Sequence, residues 1–451
     1  MTNLIFLNSP LKTTADVNII AWRDDVLTRE DLEAAVIRTI EDLQQAGIKG
    51  GDPVLLKADY APQTVAVLLA LIEMNAIIIP MIPATANRAP ELVDLVDPAW
   101  IISIDEQQAM TVDVRKILNS NDFYRKLKNT DCPGLILFTS GSTGEPKVVV
   151  HDFSKLLAKF TKPRPPMSTI NFLMFDHWGG LNTLLHCLAT GSLVVLPENR
   201  QPDYICKLIE QHKIELLPST PTFLNMLLIS RAYQEHDLSS LRFISYGAEP
   251  MPESTLKGLQ RVFPKAEFRQ TYGMIELGVL RAQSKSSDSL WVRLGGEGYD
   301  LRVVNGILQI KADAAMMGYL NAPSPITEDG YFITGDRVEV DGDYMRILGR
   351  ESELINVGGQ KVYPAEVEAV LLEHDDVMDA VVYGADSPIS GKVVCATIQN
   401  NDGIDPVKAR QDIKRFCSKK LEPFKIPVKI RFASAPLHGD RQKRMRRQPQ
   451  D

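Results

Sequence analysis

GLILFTSGSTGEPKVVVH, residues 134–151, is the stretch that decides how this chain reads. Leu135–Phe138 is one apolar run and Val148–Val150 is another. Both are short and rich in β-branched or large apolar side chains, which is the signature of strands. Between them lies Thr139-Ser140-Gly141-Ser142-Thr143-Gly144-Glu145-Pro146-Lys147, with two glycines, four hydroxyl side chains and one lysine. Glycine lets successive backbone N–H groups converge on an anion, hydroxyls add donors that rotate to suit it, and lysine brings a full charge. At an effective dielectric near 20, a lysine–phosphate pair about 4 Å apart is worth roughly 4 kcal/mol per unit charge before desolvation. The Walker loop, G-x-x-x-x-G-K-[ST], does not fit: Pro146 stands five residues after Gly141, and a strand follows where a helix should open. A plain Ser/Gly connector is the bland alternative, and the ordered run of residue types between two apolar runs favours a phosphate cradle.

The rest of the chain bounds the reading. Its 451 residues suffice for two or three domains with sizeable cores. A net charge of −7 gives no general argument for nucleic acid or membrane partners. Cys132, Cys187, Cys206, Cys395 and Cys417 are scattered and form no C-x-x-C, which suits a reducing cytoplasm better than a disulfide framework. MTNLIFLNSP lacks the basic start and long apolar core of a secretory signal. Thr64–Ala84 is the longest apolar tract, but Glu73, Asn75, Pro80 and Pro83 interrupt it, so it reads as a buried helix and a core strand. Thr28–Ala46 has apolar residues at helical spacing behind a Thr-x-x-Asp start and stops before Gly47. A strand after GIKGGD, a helix over Val65–Met74 and a strand over Ala76–Met81 continue an α/β alternation with a parallel sheet.

The loop resembles the phosphate loop of the adenylate-forming superfamily: acyl- and aryl-CoA synthetases, peptide-synthetase adenylation domains and luciferases. Val148 stands where the family usually has glycine. Further motifs follow in the family's order. Ser245-Tyr246-Gly247-Ala248-Glu249 resembles a turn that contacts adenine and lines the acyl pocket, with Tyr246 where glycine is common and the pocket therefore expected to narrow. Gln270-Thr271-Tyr272-Gly273-Met274-Ile275-Glu276 is similar to the family's Tyr-Gly-x-Thr-Glu. The resemblance gives Tyr272 the adenine face, the Thr271 carbonyl the adenine amine and Glu276 a Mg²⁺ ion, with Gly273 and Met274 at the pocket. Ile275 replaces a phosphate-binding threonine, and losing one hydrogen bond to a charged group costs about ten- to a hundredfold in rate. Thr334-Gly335-Asp336, with Gly349-Arg350 following, assigns the ribose hydroxyls to Asp336 and the ribose and phosphate to Arg350. A carboxylate offers two acceptor oxygens for two hydroxyls.

The acid site is expected at Asp176, His177 and Trp178, at the carboxyl end of a strand over Asn171–Phe175, where open α/β sheets bind ligands. A helix over Leu181–Ala189 should follow. The spacing to Gly191 fits the CoA-ligase pattern from His177, with Gly179-Gly180 behind it. Phe175-Asp176 mimics the amino-acid pattern of peptide-synthetase domains but lies about two residues too far.

After Arg350 the order α-β-β-α-β, from a helix over Tyr363–Glu373 to a strand over Val428–Phe432, implies a separate small α+β domain. The expectation is therefore a large α/β domain over residues 1–350, with mixed, largely parallel sheets, and a small mobile α+β domain over 351–451. Ser352 stands at the family's pivot position, and Gly358-Gly359 match the loop shown to the pantetheine thiol. The family's last lysine maps to Gln442 without a gap and to Lys443 with one residue of slack; Lys443 is taken. Catalysis is then assigned to Lys443, Lys147 and Thr143, and nucleotide binding to Thr139–Gly144, Lys147 and the three motifs after it. The implied reaction is carboxylate plus MgATP giving acyl-adenylate and pyrophosphate, then acyl transfer to coenzyme A. A stand-alone enzyme loading an amino or aryl acid onto the phosphopantetheine of a carrier protein is the alternative, and a degenerate nucleotide-binding protein is the third reading.

Overall fold

The computed structural model describes Leu4 and residues 17–115, 121–139, 146–162, 164–388, 390–400, 405–433 and 437–438. Ser140, Gly141, Ser142, Thr143, Gly144, Gln442 and Lys443, on which expectations were placed above, lie outside the described residues.

The opening helix, Arg29–Ala46, forms for the reasons its sequence gives. The Thr28 hydroxyl accepts from the Asp31 amide at 3.1 Å, and the Asp31 carboxylate takes the Thr28 amide at 2.9 Å. Gly47 ends it with φ +101°, a left-handed conformation that glycine adopts without a Cβ penalty. Pro62–Glu73, the apolar helix, is buried from Thr64 through Ile72, so it is a core helix apolar all round. No helix among the described residues is long and apolar enough to cross a membrane.

Two seven-stranded sheets carry the large part of the molecule. In one, Ile77–Met81, Pro53–Lys57 and Trp100–Ile104 run parallel with Gly134–Thr139, and the antiparallel strand Lys147–Asp152 lies outside them. Thr139 and Lys147 are opposite one another, so the phosphate-loop stretch leaves and re-enters the sheet at one rung. In the other sheet, Thr169–Ile170, Leu216–Ser219, Phe243–Tyr246 and Glu267–Gln270 are consecutive parallel neighbours. A six-stranded antiparallel sheet follows, and its pair Phe332–Asp341 and Tyr344–Arg350 carries Asp336 directly opposite Arg350. In the last sheet Gly391–Asn400 lies between Val377–Ser387 and Lys429–Phe432, packed against the helices Pro364–Leu371 and Pro406–Cys417. The fold is thus α/β with mixed sheets followed by a small α+β unit.

One expected strand is not formed. Thr169–Ile170 is the strand; the Asn171 amide still reaches the Val195 carbonyl at 2.8 Å, but from Phe172 to His177 the chain is a loop whose backbone groups go to side chains and turns. Arg200 Nε donates to the Phe172 carbonyl at 2.6 Å, and the His177 amide closes a turn onto the Met174 carbonyl at 3.2 Å. The helix after it starts earlier than expected, at Trp178, and runs to Thr190.

On the outer surface, His236 sits between two carboxylates of the helix Pro202–His212, with Nδ1 3.1 Å from Glu210 and Nε2 3.2 Å from Asp203. The Glu210 bond raises the His236 pKa, and the same bond lowers that of Glu210. A raised histidine adds stability below its unfolded pKa and loses it as pH rises through the folded value. The lowered carboxylate adds stability above its unfolded pKa and loses it as pH falls. The pair's contribution is therefore greatest between roughly pH 4.5 and 6.5. His236→Gln should lower the urea midpoint more at pH 5.5 than at pH 8.5, a difference that equilibrium unfolding at the two values measures directly.

Candidate active site

The strand Phe243–Tyr246 ends at a turn that only glycine can start. A Cβ on Gly247 would meet Thr271 Oγ1 at 2.4 Å and the Thr271 carbonyl at 2.8 Å. The Thr271 amide donates to the Tyr246 carbonyl at 2.7 Å, locking the two turns side by side. Ala248 follows with φ +69°, an uncommon conformation for a residue with a side chain. Glu249 accepts from the Thr222 hydroxyl at 2.6 Å, which ties the turn to the helix Pro221–Ser230.

From Thr271 the chain runs into Tyr272, whose buried hydroxyl donates to Asp336 Oδ2 at 2.6 Å. Arg350 Nε stands 3.5 Å from Asp336 Oδ1. Burial pushes the Asp336 carboxyl up, and Arg350 and Tyr272 oppose that shift. Burial, then the Asp336 charge, pushes the Tyr272 phenol well above its ordinary value, so it remains a donor. One carboxylate is thus held by a phenol on one side and a guanidinium on the other.

A second chain of contacts runs from the phosphate-loop stretch. Lys147 Nζ lies 5.1 Å from the centroid of the Tyr319 ring, and the Tyr319 hydroxyl donates to Glu276 Oε1 at 2.7 Å. Asn321 brackets the exit of the loop, accepting from the Val148 amide and donating to the Pro146 carbonyl, both at 2.9 Å. His151, fully buried, has Nε2 2.7 Å from the Ile275 carbonyl; a carbonyl only accepts, so the imidazole donates. Ile275 itself packs into the main core, together with Tyr272 and Leu277. Tyr319, Asn321 and His151 were missed in the sequence. Gly318–Tyr319 is a two-residue strand, too short for any periodic signal, and His151 reads as the tail of an apolar strand.

Asp176, His177 and Trp178 lie after the loop at the start of a helix, and the expectation of a strand end is corrected accordingly. His177 is the N-cap, its Nδ1 accepting from the Gly179 amide at 3.0 Å. Asp176 is buried and accepts from the Thr85 hydroxyl at 3.1 Å. Trp178 is buried edge-on to Phe153 at 6.2 Å, and a Cβ on Gly278 would lie 3.6 Å from its Nε1, so it abuts the turn after Glu276. Tyr246 falls in the core cluster of Phe172 and Phe223, while Phe175 and Trp178 belong to the other.

Thus Lys147, Tyr319 and Glu276 come together, as do Tyr272, Asp336 and Arg350. Thr139 sits opposite Lys147. Gly358 and Gly359 are elsewhere, in a hairpin turn with nothing within 4 Å of where a Cβ would stand. Glu276 suits a hard divalent cation, which needs one carboxylate oxygen when phosphates and waters supply the others. Among the described residues, no three metal-binding side chains cluster into a site of their own.

A chain of this sequence matches the AMP-binding enzyme family over residues 9–295 and the AMP-binding enzyme C-terminal domain over residues 366–439. It is 24% identical to a 2-succinylbenzoate–CoA ligase of Bacillus cereus, covering 96% of this chain and 95% of that one. It is 27% identical to an indoleacetate–CoA ligase of Aromatoleum aromaticum, covering 90% and 89%. Among solved structures, the anthranilate CoA ligase AuaEII in complex with anthranoyl-AMP has the same fold, with a TM-score of 0.83 at 19% identity over 98% of this chain and 95% of that one.

The His151 contact makes a prediction about pH. Burial pushes its pKa down to about 4, so between the unfolded value and about pH 4 the unfolded chain binds a proton that the folded one refuses. Stability should fall as pH drops through that window, by up to about 3 kcal/mol from this residue. His151→Gln should remove that part of the slope, and urea unfolding at pH 5 and pH 7.5 measures it.

Proposed function

The chain belongs to the AMP-binding enzyme family, and we propose that it is an AMP-forming acid–thiol ligase acting on a small carboxylic acid and coenzyme A. The carboxylate oxygen attacks the α-phosphorus of ATP and pyrophosphate leaves. The thiol sulfur then attacks the acyl carbon, its proton is lost, and AMP departs. Near full-length similarity to ligases named for CoA thioester formation supports this reading. The observation that carries it is the Tyr272–Asp336 bond with Arg350 beside it, since it joins the turn assigned to the purine to the carboxylate assigned to the sugar.

In this reading Thr139–Gly144 and Lys147 wrap the phosphates, and Gly247, Ala248, Glu249 and the Thr271 carbonyl edge the adenine. Glu276 holds Mg²⁺, which when bound spreads phosphate charge. Lys443 reaches the reacting carboxylate and phosphate, with Thr143 beside them. The acid lies among Asp176, His177, Trp178, Tyr246 and Met274. Residues 1–350 form the adenylating domain, and 351–451 turn about Ser352 to bring Gly358 and Gly359 to the thiol. The large rate gain comes from holding carboxylate and phosphorus in line. A carrier-protein phosphopantetheine is the other acceptor to test. Five cysteines without a disulfide agree with a cytoplasmic setting.

Acid-dependent ATP–pyrophosphate exchange tests the first step, and thioester formation with coenzyme A against carrier protein tests the second. ATP binding without exchange for any acid would leave only a nucleotide-binding protein. Asp336→Ala should lower kcat/KM for ATP about ten- to a hundredfold, the worth of bonds to a charged group. Lys443→Ala should slow adenylation about a hundredfold more than thioester formation from supplied acyl-adenylate, and single-turnover kinetics of each half-reaction would separate them.

A further inference from the structure

Three parallel strands, Leu216–Ser219, Phe243–Tyr246 and Glu267–Gln270, end at the same level. Their last residues are in register: Ser219 is opposite Tyr246, and Tyr246 is opposite Gln270. In-register neighbours put their side chains on one face of a sheet, and two residues earlier the same face carries Leu217, Ile244 and Phe268, all buried in one apolar cluster. An apolar floor thus rises to a polar row at the carboxyl edge, where parallel sheets take ligands.

The described residues leave the row unsatisfied. Ser219, Tyr246 and Gln270 are 4%, 1% and 8% exposed, and Ser219 Oγ, Tyr246 OH and Gln270 Oε1 each lack a hydrogen-bond partner among the described residues. Each such buried group costs about 1–3 kcal/mol unless something fills its bond; the described residues hold fifteen such atoms, and these three stand in one row across three neighbouring strands. Three side by side, next to the Gly247 and Thr271 turns, mark a place kept for a ligand's polar atoms. All three groups are neutral, and burial alone, with no neighbouring charge contributing, raises the Tyr246 phenol. A second carboxylate or an ammonium would lie there without a counter-charge, at a penalty of several kcal/mol. The Gln270 amide presents Oε1 to the row and the Ser219 and Tyr246 hydroxyls serve either way, so a ligand hydroxyl, which both donates and accepts, suits all three.

We propose that Ser219, Tyr246 and Gln270 form a neutral hydrogen-bonding row that selects a carboxylic acid bearing an uncharged donor, a hydroxyl or an un-ionised amino group. The inference rests on the adenylation reading above and names the substrate class for that same site. It replaces the expectation that Tyr246 only narrows the pocket: the tyrosine contributes a directional contact there. Sites built to bond a substrate hydroxyl reject analogues lacking it more strongly than apolar pockets discriminate by size.

The test is ATP–pyrophosphate exchange with benzoate and its hydroxy, amino and methyl derivatives, and with hexanoate and its hydroxy and methyl derivatives. Wild type should favour a hydroxy or amino acid over the methyl acid of equal size by at least tenfold in kcat/KM. Tyr246→Phe, which keeps the ring, should cut that ratio about tenfold, and Ser219→Ala should cut it severalfold, with thermal melting reporting that both variants fold. Preference for the methyl or unsubstituted acids, or a ratio unmoved in both variants as a row filled only by water would give, overturns the proposal while leaving adenylation standing. Absence of exchange with every acid overturns the adenylation reading, and this inference goes with it.

Discussion

The bond from the Tyr272 hydroxyl to Asp336 is the constraint on which the site depends. It spans 64 residues of sequence and joins the carboxyl end of a parallel sheet to an antiparallel one. A buried carboxylate with no partners would lose its charge or destabilise the fold. Here the Asp336 amide is itself fixed by the Thr334 hydroxyl at 3.0 Å, the phenol donates to one oxygen and Arg350 stands by the other. The arrangement keeps two acceptor oxygens in a dry place without a fully compensating ion pair. Such a carboxylate has capacity left for a pair of ligand hydroxyls, which is what a sugar-binding group requires.

The same economy recurs around the phosphate-loop stretch. A loop rich in glycine and hydroxyls has much conformational freedom to lose, so its ends must be anchored by groups outside it. Thr139 and Lys147 share a rung of the sheet, and Asn321 clamps Pro146 and Val148 from a distant segment. Tyr319, two residues before Asn321, reaches Glu276, while His151 from the strand after the loop reaches the carbonyl of Ile275. The motif turn Tyr272–Glu276 is therefore held by two elements of the phosphate-loop sheet. The Ile275 backbone carries that contact, while its side chain goes to the core.

Much of the fold was readable because local chemistry and tertiary structure agree. Thr28 and Gly47 bound their helix as capping rules require, and the strands on either side of the phosphate loop follow from their apolar runs. The small unit's α-β-β-α-β order also appears as expected, with helix ends shifted by a few residues. The failures have physical causes. Asn171–Phe175 reads as a strand from its side chains, but Arg200, 28 residues away, takes the Phe172 carbonyl and stops the ladder. The antiparallel sheet between Arg281 and Arg350 escaped because its strands alternate weakly and are half exposed. Tyr272, Asp336 and Arg350, which the motifs singled out, do come together, whereas Tyr319, Asn321 and His151 act through single long-range bonds, which leave no pattern in a lone sequence.

Among the contacts between residues before and after Arg350, one is a side-chain bond to a backbone bulge. Asn225, on the helix Pro221–Ser230, donates from Nδ2 to the Met378 carbonyl at 3.0 Å, and its Oδ1 lies 3.4 Å from the Thr255 hydroxyl. Met378 offers that carbonyl because the ladder between Val377–Ser387 and Gly391–Asn400 shifts register there, and a bulge frees one backbone group. A single bond of this kind contributes about 0.5–1.5 kcal/mol net, no more than about a tenfold bias between two arrangements. Gly358 and Gly359 meanwhile stand in open space. The Asn225 contact is thus polar and directional, and it is joined by the Arg337–Glu351 ion pair at 2.8 Å and the packing of the helix Pro364–Leu371 on the strand Tyr344–Arg350, so the two parts meet through several small contacts of different kinds.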